Sequence, residues 1–247
     1  MFKILFLILI LQVLLFGNTV TLAVAANVSY AIQEIKKEFE KQYPHVKLRI
    51  ILGSSGKLYA QIKNHAPYDI FMSANMMYPQ SLYHDKQTLQ KPHVYAQGSL
   101  AVLSVTQRDL GDVLTLFQSD CISKIALANP KTAPYGKASF EALRNAKILE
   151  KIKYKVVYGE SISQTLSYTV NATDIGIVAT SALYSPKLQR FKKNIHWVEL
   201  DSNLYTPIQQ GMVLLKRAKK NKDAQLFYTF MLEIHAQKIL QAFGYTL

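Results

Sequence analysis

Four short polar turns carry the residue types that could do chemistry. They are Ala25-Ala26-Asn27, Gly53-Ser54-Ser55-Gly56, Asn129-Pro130 with Ala133-Pro134-Tyr135-Gly136, and Gly159-Glu160-Ser161-Ile162-Ser163. Each stands between an apolar run and a stretch with helical spacing. A helix start leaves backbone N–H groups without intrahelical partners and carries the positive end of the helix dipole. If the four starts converge, with the Asn27 and Ser55 side chains adding donors, they form a neutral, donor-rich cage for an anion. Asn, Ser and Gly also cap helices in proteins of every kind. From the pattern alone, ordinary capping explains these turns as well as anion binding does.

Other chemistries find no local support. The histidines His45, His65, His84, His93, His196 and His235 form no HExxH and no i, i+4 pair. Gly53 to Leu58 is too short for a phosphate-binding Walker A loop, and Leu58 stands where Ser or Thr should hold magnesium. The same stretch misses GxSxG because Lys57 takes the last position. No Gly-rich dinucleotide fingerprint is present. An exported α/β hydrolase using Ser54 or Ser55 stays open only as an alternative with no elbow and no paired histidine. No cofactor and no enzymatic activity are expected.

The elements that must position these turns alternate. Strands are expected at Val20–Ala25, Val46–Leu52, Asp69–Met72, Ser99–Val105, Ile125–Ala128, Tyr154–Val157, Ile175–Val178, His196–Leu200 and Gly211–Leu215. Helices are expected within Asn27–Tyr43 and at Lys57–Lys63, Met76–Lys86, 136–150, Ser163–Val170 and Asp223–Phe243. The last would bury Leu226, Phe227, Phe230, Met231, Ile234 and Leu240. Strand alternating with helix argues for an α/β fold with mostly parallel sheets. The polar turns then gather at the carboxyl ends of the strands, where open sheets bind ligands. No repeat and no linker breaks the chain, so two lobes would be joined through strand-like crossings, as in a hinge.

Composition bounds the partner. The chain of 247 residues carries 29 Lys plus Arg against 16 Asp plus Glu, a net charge of +13. Met1-Phe2-Lys3 precedes a run from Ile4 to Phe16 that is apolar except at Gln12, which suits a signal-peptide core and is short for a membrane span. Residues 1–17 are therefore expected to direct export, with the mature start near residue 18 and an uncleaved anchor as the alternative. Without them 28 basic residues face 16 acidic ones, a net +12, so the signal does not explain the basicity. The runs Lys187–Lys193 and Lys216–Lys222 are expected as solvated loops, and no motif supports specific nucleic-acid binding. Lys57, Lys131 and Lys137 sit near the polar turns and could draw an anion in. The single cysteine, Cys121, excludes an intramolecular disulfide and is expected as a buried apolar residue.

The turns also occur in a recognisable order. Val24 to Ser29, Gly53 to Gly56 with Leu58 and Gln61, the run Ala66-Pro67-Tyr68-Asp69-Ile70-Phe71-Met72-Ser73-Ala74, Asn129-Pro130 with Pro134-Tyr135-Gly136, Ile175 to Val178 and the closing Phe243-Gly244-Tyr245-Thr246 together resemble the periplasmic molybdate-binding proteins of ABC transporters. The similarity spans nearly the whole mature chain. It implies a two-lobed type II periplasmic binding protein, a monomer that closes on a tetrahedral oxyanion and delivers it to a membrane permease. Residues 18–99 with 205–247 would form one lobe and 100–204 the other. The resemblance places molybdate or tungstate at Ala26 and Asn27, at Ser55, and at the backbone N–H groups of Tyr135 and Ile162, held through its oxygens with no direct metal ligation. Two positions depart from the pattern: Asn27 stands where many members have Ser, and Ala179 where many have a Tyr hydroxyl. The Tyr135 side chain or Asn27 could supply that missing donor. Sulfate or another small anion on the same fold is the nearest alternative ligand.

Overall fold

The computed structural model describes residues 19–247. The expected signal segment, residues 1–17, lies outside them. Ten strands run in chain order: β1 (Thr19–Ala25), β2 (Lys47–Gly53), β3 (Ile70–Ser73), β4 (His93–Gly98), β5 (Leu100–Leu103), β6 (Ile125–Ala128), β7 (Val156–Gly159), β8 (Ile175–Ala179), β9 (Trp197–Glu199) and β10 (Ile208–Leu214). The α-helices are α1 (Ala31–Gln42), α2 (Ser55–Lys63), α3 (Met77–His84), α4 (Val113–Gln118), α5 (Pro134–Asn145), α6 (Leu149–Ile152), α7 (Ile162–Asn171), α8 (Thr180–Leu183), α9 (Lys222–Phe230) and α10 (Ile234–Ala242).

The strands form two five-stranded sheets, ordered β2-β1-β3-β10-β4 and β7-β6-β8-β5-β9. Within the first, β10 alone runs against its neighbours; within the second, β5 does. Four strands of each sheet therefore point one way, as the alternating pattern predicts. The chain passes from the first sheet to the second at Ser99, between β4 and β5, and returns between β9 and β10. These crossings make two lobes.

Side chains alternate between the two faces while burial along the central strands is nearly continuous, so both faces of each sheet are covered. Along β1, Val20, Leu22 and Val24 join Ile32, Ile35 and Phe39 of α1 in one core, while Ala23 faces Leu58 and Ile62 of α2 in another. In the second lobe Leu100 and Val102 of β5 pack with Ile125, Leu127 and the α5 residues Ala138 and Leu143. Ala101 and Leu103 turn the other way, toward Leu166, Leu183 and Trp197.

Four expectations need correction. The helix expected over 136–150 ends at Asn145, because Lys147 takes a left-handed backbone (φ 58°) and its N–H closes on the Arg144 carbonyl. The helix expected over Asp223–Phe243 breaks at residues 231–233, where Leu232 and Glu233 fold back onto Thr229 and Phe230. The break rotates Ala236 and Leu240 into the core and leaves Ile234 exposed. Cys121 is exposed rather than buried, because the neighbouring Ile122 takes the core position. Strand β4 and helix α4 add elements to the expected set. The basic runs are solvated as expected, anchored by the buried Leu188, Phe191 and Ala218.

Phe39 anchors the first lobe. It is fully buried, with Phe227 edge-on at 5.0 Å and Phe230 at 5.2 Å. Phe39→Ala is expected to cost about 3–5 kcal/mol of stability, read from urea unfolding. A loss below about 1 kcal/mol would show that the surroundings collapse to fill the space.

Candidate functional site

The four polar turns do converge. Ala25–Asn27, Ser54–Ser55, Ala74, Ala133–Tyr135 and Ile162 wall one small cavity between the lobes, with a volume of about 10 Å³. That is room for about one water, far below the roughly 300–1,000 Å³ of sites that take drug-sized ligands. No Lys, Arg, His, Asp or Glu contributes to its wall. Among the described residues no three His, Cys, Asp or Glu side chains gather as a metal site.

Each turn presents donors for a local reason. Ser54 is the extended N-cap of α2 and makes no capping bond, so Ser55 becomes the first helical residue. Its Oγ accepts the Ala74 N–H at 2.9 Å, which leaves the Ser55 hydroxyl proton to donate elsewhere. In α5 the first helical position is Pro134, which has no N–H, so the first free donor is that of Tyr135. In α7 the N-cap Ser161 spends its Oγ on the Gln164 N–H, leaving the Ile162 N–H uncapped. In the first turn β1 gives way to a 3-10 turn at Ala26–Val28, whose opening N–H groups lack partners within the turn. Ala26 and Asn27 carry them. Sequence reasoning placed the starts of α2 and α7 later, at Lys57 and Ser163. The earlier starts bring Ser55 and Ile162 to the helix openings.

The Asn27 side chain has another use. Its Nδ2 donates to Gln210 Oε1 at 2.8 Å and to the Tyr245 hydroxyl at 2.9 Å, with the Tyr135 hydroxyl at 3.4 Å. Both amide protons are therefore committed within the protein, and the backbone N–H is what Asn27 offers the cavity. Ala179 does not wall the cavity. Ser54, absent from the expected set, does: its Oγ is buried and has no protein partner, and the same is true of Asn27 Oδ1. Gln210 carries no local motif that would mark it, and Tyr245 is marked only by the closing Phe243-Gly244-Tyr245-Thr246 of the resemblance.

The lobes meet around this cavity. Ser163 Oγ donates to the Ala26 carbonyl at 2.8 Å, and Ser181 Oγ to the Asn27 carbonyl at 3.1 Å. The Gly56 N–H reaches the Thr132 carbonyl at 2.9 Å, and above it Lys57 pairs with Glu160 at 2.9 Å. That exposed pair turns the Glu160 carboxylate outward. The Tyr135 ring crosses beside Gly98 at the first interlobe crossing, where any Cβ would collide with the Tyr135 hydroxyl.

Burial pushes the Tyr135 and Tyr95 hydroxyls well above the usual tyrosine range, and that of Tyr245 up to about 12. Hydrogen bonds to Ser181 and Asn27 partly offset the shift at Tyr245. The buried phenols therefore remain protonated when the unfolded chain ionises near pH 10. The folded state then binds more protons than the unfolded one, so stability falls as pH rises from about 10 toward about 12. Urea midpoints should be flat around pH 8–9 and drop by about pH 11. A midpoint unchanged at about pH 11 would mean that these hydroxyls ionise as readily in the fold as in water.

Comparison with known proteins places this geometry. The family model for bacterial extracellular solute-binding proteins matches residues 20–246. The molybdate-binding protein ModA of Azotobacter vinelandii is 32% identical over 230 residues, covering 92% of this chain and 90% of the relative. The ABC transporter substrate-binding lipoprotein YvgL of Bacillus subtilis is 31% identical over 230 residues, covering 92% and 86%. The solved structure of the Azotobacter vinelandii periplasmic molybdate-binding protein matches with a TM-score of 0.84 and 31% identity, over 92% of this chain and 99% of that one. Two lobes, a donor-lined cleft and a match along almost all described residues agree: this chain belongs to the family of bacterial extracellular solute-binding proteins, a family of binders rather than enzymes.

Proposed function

We propose that this chain is the substrate-binding component of an ABC importer and captures molybdate, and equally tungstate, in the cavity between its lobes. The observation that carries this reading is a small interlobe cavity walled by neutral groups, with free N–H groups from four turns and a Ser55 hydroxyl available to donate. A doubly charged oxyanion without a proton needs donors and no acceptor. Preorganised N–H dipoles can hold such an ion with no buried cation to desolvate. Relatives that are molybdate-binding proteins by name support the choice of ion.

The interlobe bonds of Ser163, Ser181 and Gly56 would form as the lobes close, so that ligand shifts the population toward the closed arrangement. Export to the periplasm, delivery to a membrane permease and action as a monomer complete the proposal. No helix among the described residues is long and apolar enough to cross a membrane. Sulfate carries the same charge and shape in a smaller ion, so selection against it rests on cavity size. A second reading, an oxyanion that keeps one proton, draws on the buried and unpartnered Asn27 Oδ1 as its acceptor. No carboxylate is placed to do that, because Glu160 pairs with Lys57 outside the wall.

Calorimetry with molybdate, tungstate, sulfate and phosphate at equal ionic strength tests the reading. Tight molybdate and tungstate binding is expected; tight sulfate or phosphate binding with silent molybdate would overturn it. Ser55→Ala should weaken molybdate binding by about 1–3 kcal/mol, the range for losing a hydrogen bond to a charged group. Unchanged affinity would remove the second turn from the site.

A further inference from the structure

We propose that Tyr245 is a positioning residue for ligand binding: it holds Asn27 in place from beneath the cavity and ties that turn to the opposite lobe. The inference rests on the anion site proposed above and adds residues that do not wall it.

Three segments far apart in sequence meet under the first turn. The Tyr245 hydroxyl accepts from Asn27 Nδ2 at 2.9 Å. Its single proton has two acceptors, the Asn27 carbonyl and Ser181 Oγ, each at 3.1 Å. Ser181 lies in α8 of the second lobe and itself donates to the Asn27 carbonyl. Gln210, fully buried in β10, receives the other Asn27 amide proton and donates its own Nε2 to the Ile208 carbonyl at 2.7 Å. Asn27 is thus fixed at both its carboxamide and its carbonyl. With those ends fixed, its backbone N–H has one direction left to face.

The chain is built to deliver Tyr245 there. Gly244 turns in the left-handed region (φ 76°), and a Cβ on it would strike the Tyr184 ring of the second lobe. Thr246 then pairs with Gln97 of β4 in both directions, N–H to carbonyl, at 2.7 and 3.0 Å. The closing segment is stitched to the interlobe crossing on one side and pressed against the second lobe on the other. Tyr245 is 3% exposed and does not itself wall the cavity. What the hydroxyl touches is the ligand turn of one lobe and a helix start of the other.

Because the bond joins the lobes, its loss should appear in ligand release. Tyr245→Phe keeps the ring and removes the hydroxyl. Its molybdate Kd should rise about three- to tenfold, the range for one neutral hydrogen bond, with the change in the off-rate and not the on-rate. Ser181→Ala removes the Tyr245–Ser181 bond from the other lobe together with the Ser181 bond to the Asn27 carbonyl, and the double variant should lose less than the sum of the single losses. Thermal unfolding of each variant without ligand separates this from a packing role, which would lower the midpoint and leave Kd and off-rate alone. Wild-type Kd and off-rate in Tyr245→Phe overturn the proposal. So do fully additive losses in the double variant. If Tyr245→Phe fails to fold, a wild-type off-rate in Ser181→Ala overturns the proposal, because that variant removes both the Tyr245 and the Asn27 link to Ser181. A wild-type chain that binds none of the four anions overturns the functional reading and this inference together, whereas molybdate binding with unaffected variants overturns only this one.

Discussion

A backbone N–H at a helix start must face water, a cap or a ligand, because burying it unpaired costs about 1–3 kcal/mol. The site multiplies that constraint by bringing turns from both lobes to one small space between them. Everything around it manages where those donors point. Ser54 declines to cap α2, Pro134 removes the donor that would have preceded Tyr135, and Ser161 caps deeper in α7 and leaves the Ile162 N–H open. The sheets serve this purpose by ending their strands at one level, so that the helices begin side by side around the cleft.

Selectivity on this plan belongs to geometry more than to charge. No cation sits in the wall, so an anion at the proposed site would be held by dipoles whose positions are fixed by buried side chains. The Tyr135 ring beside Gly98 and the Asn27–Gln210–Tyr245 contacts set that framework from below. Apart from the buried Lys155, most of the described Lys and Arg residues lie at the surface, where they would add a salt-screened field that speeds encounter and contributes little to choice of ion. Even Lys57, near the entrance, is engaged by Glu160 across the lobes.

The turns were legible in the sequence because their signals are local. A strand-like run, then Ser, Asn or Pro, then helical spacing identifies a helix start within a few residues: the pattern puts α2 at Lys57 and α7 at Ser163, where the helices open at Ser55 and Ile162, and Tyr135 and Ile162 enter as donor positions through the family resemblance. What escaped it depends on residues distant in the chain. Asn27 reads as a ligand side chain because no local pattern says that Gln210 and Tyr245, 183 and 218 residues away, will take its amide protons. The break after α9 has no Gly or Pro to announce it, and Lys147 adopts a glycine-like backbone with no glycine present. Strand β4 is a short edge whose partner β10 comes more than a hundred residues later, so only the folded sheet reveals it.

The neutral wall has an electrical consequence. With no carboxylate, amine or imidazole in its wall, the cavity has no such group lining it to take up or give off a proton as an ion enters. Loading would then subtract the whole charge of the ion from the protein, in contrast to a site whose own acids and bases buffer the change. Full and empty forms of such a chain carry different net charge at constant pH, and a partner at the membrane would meet that difference as well as any difference in shape.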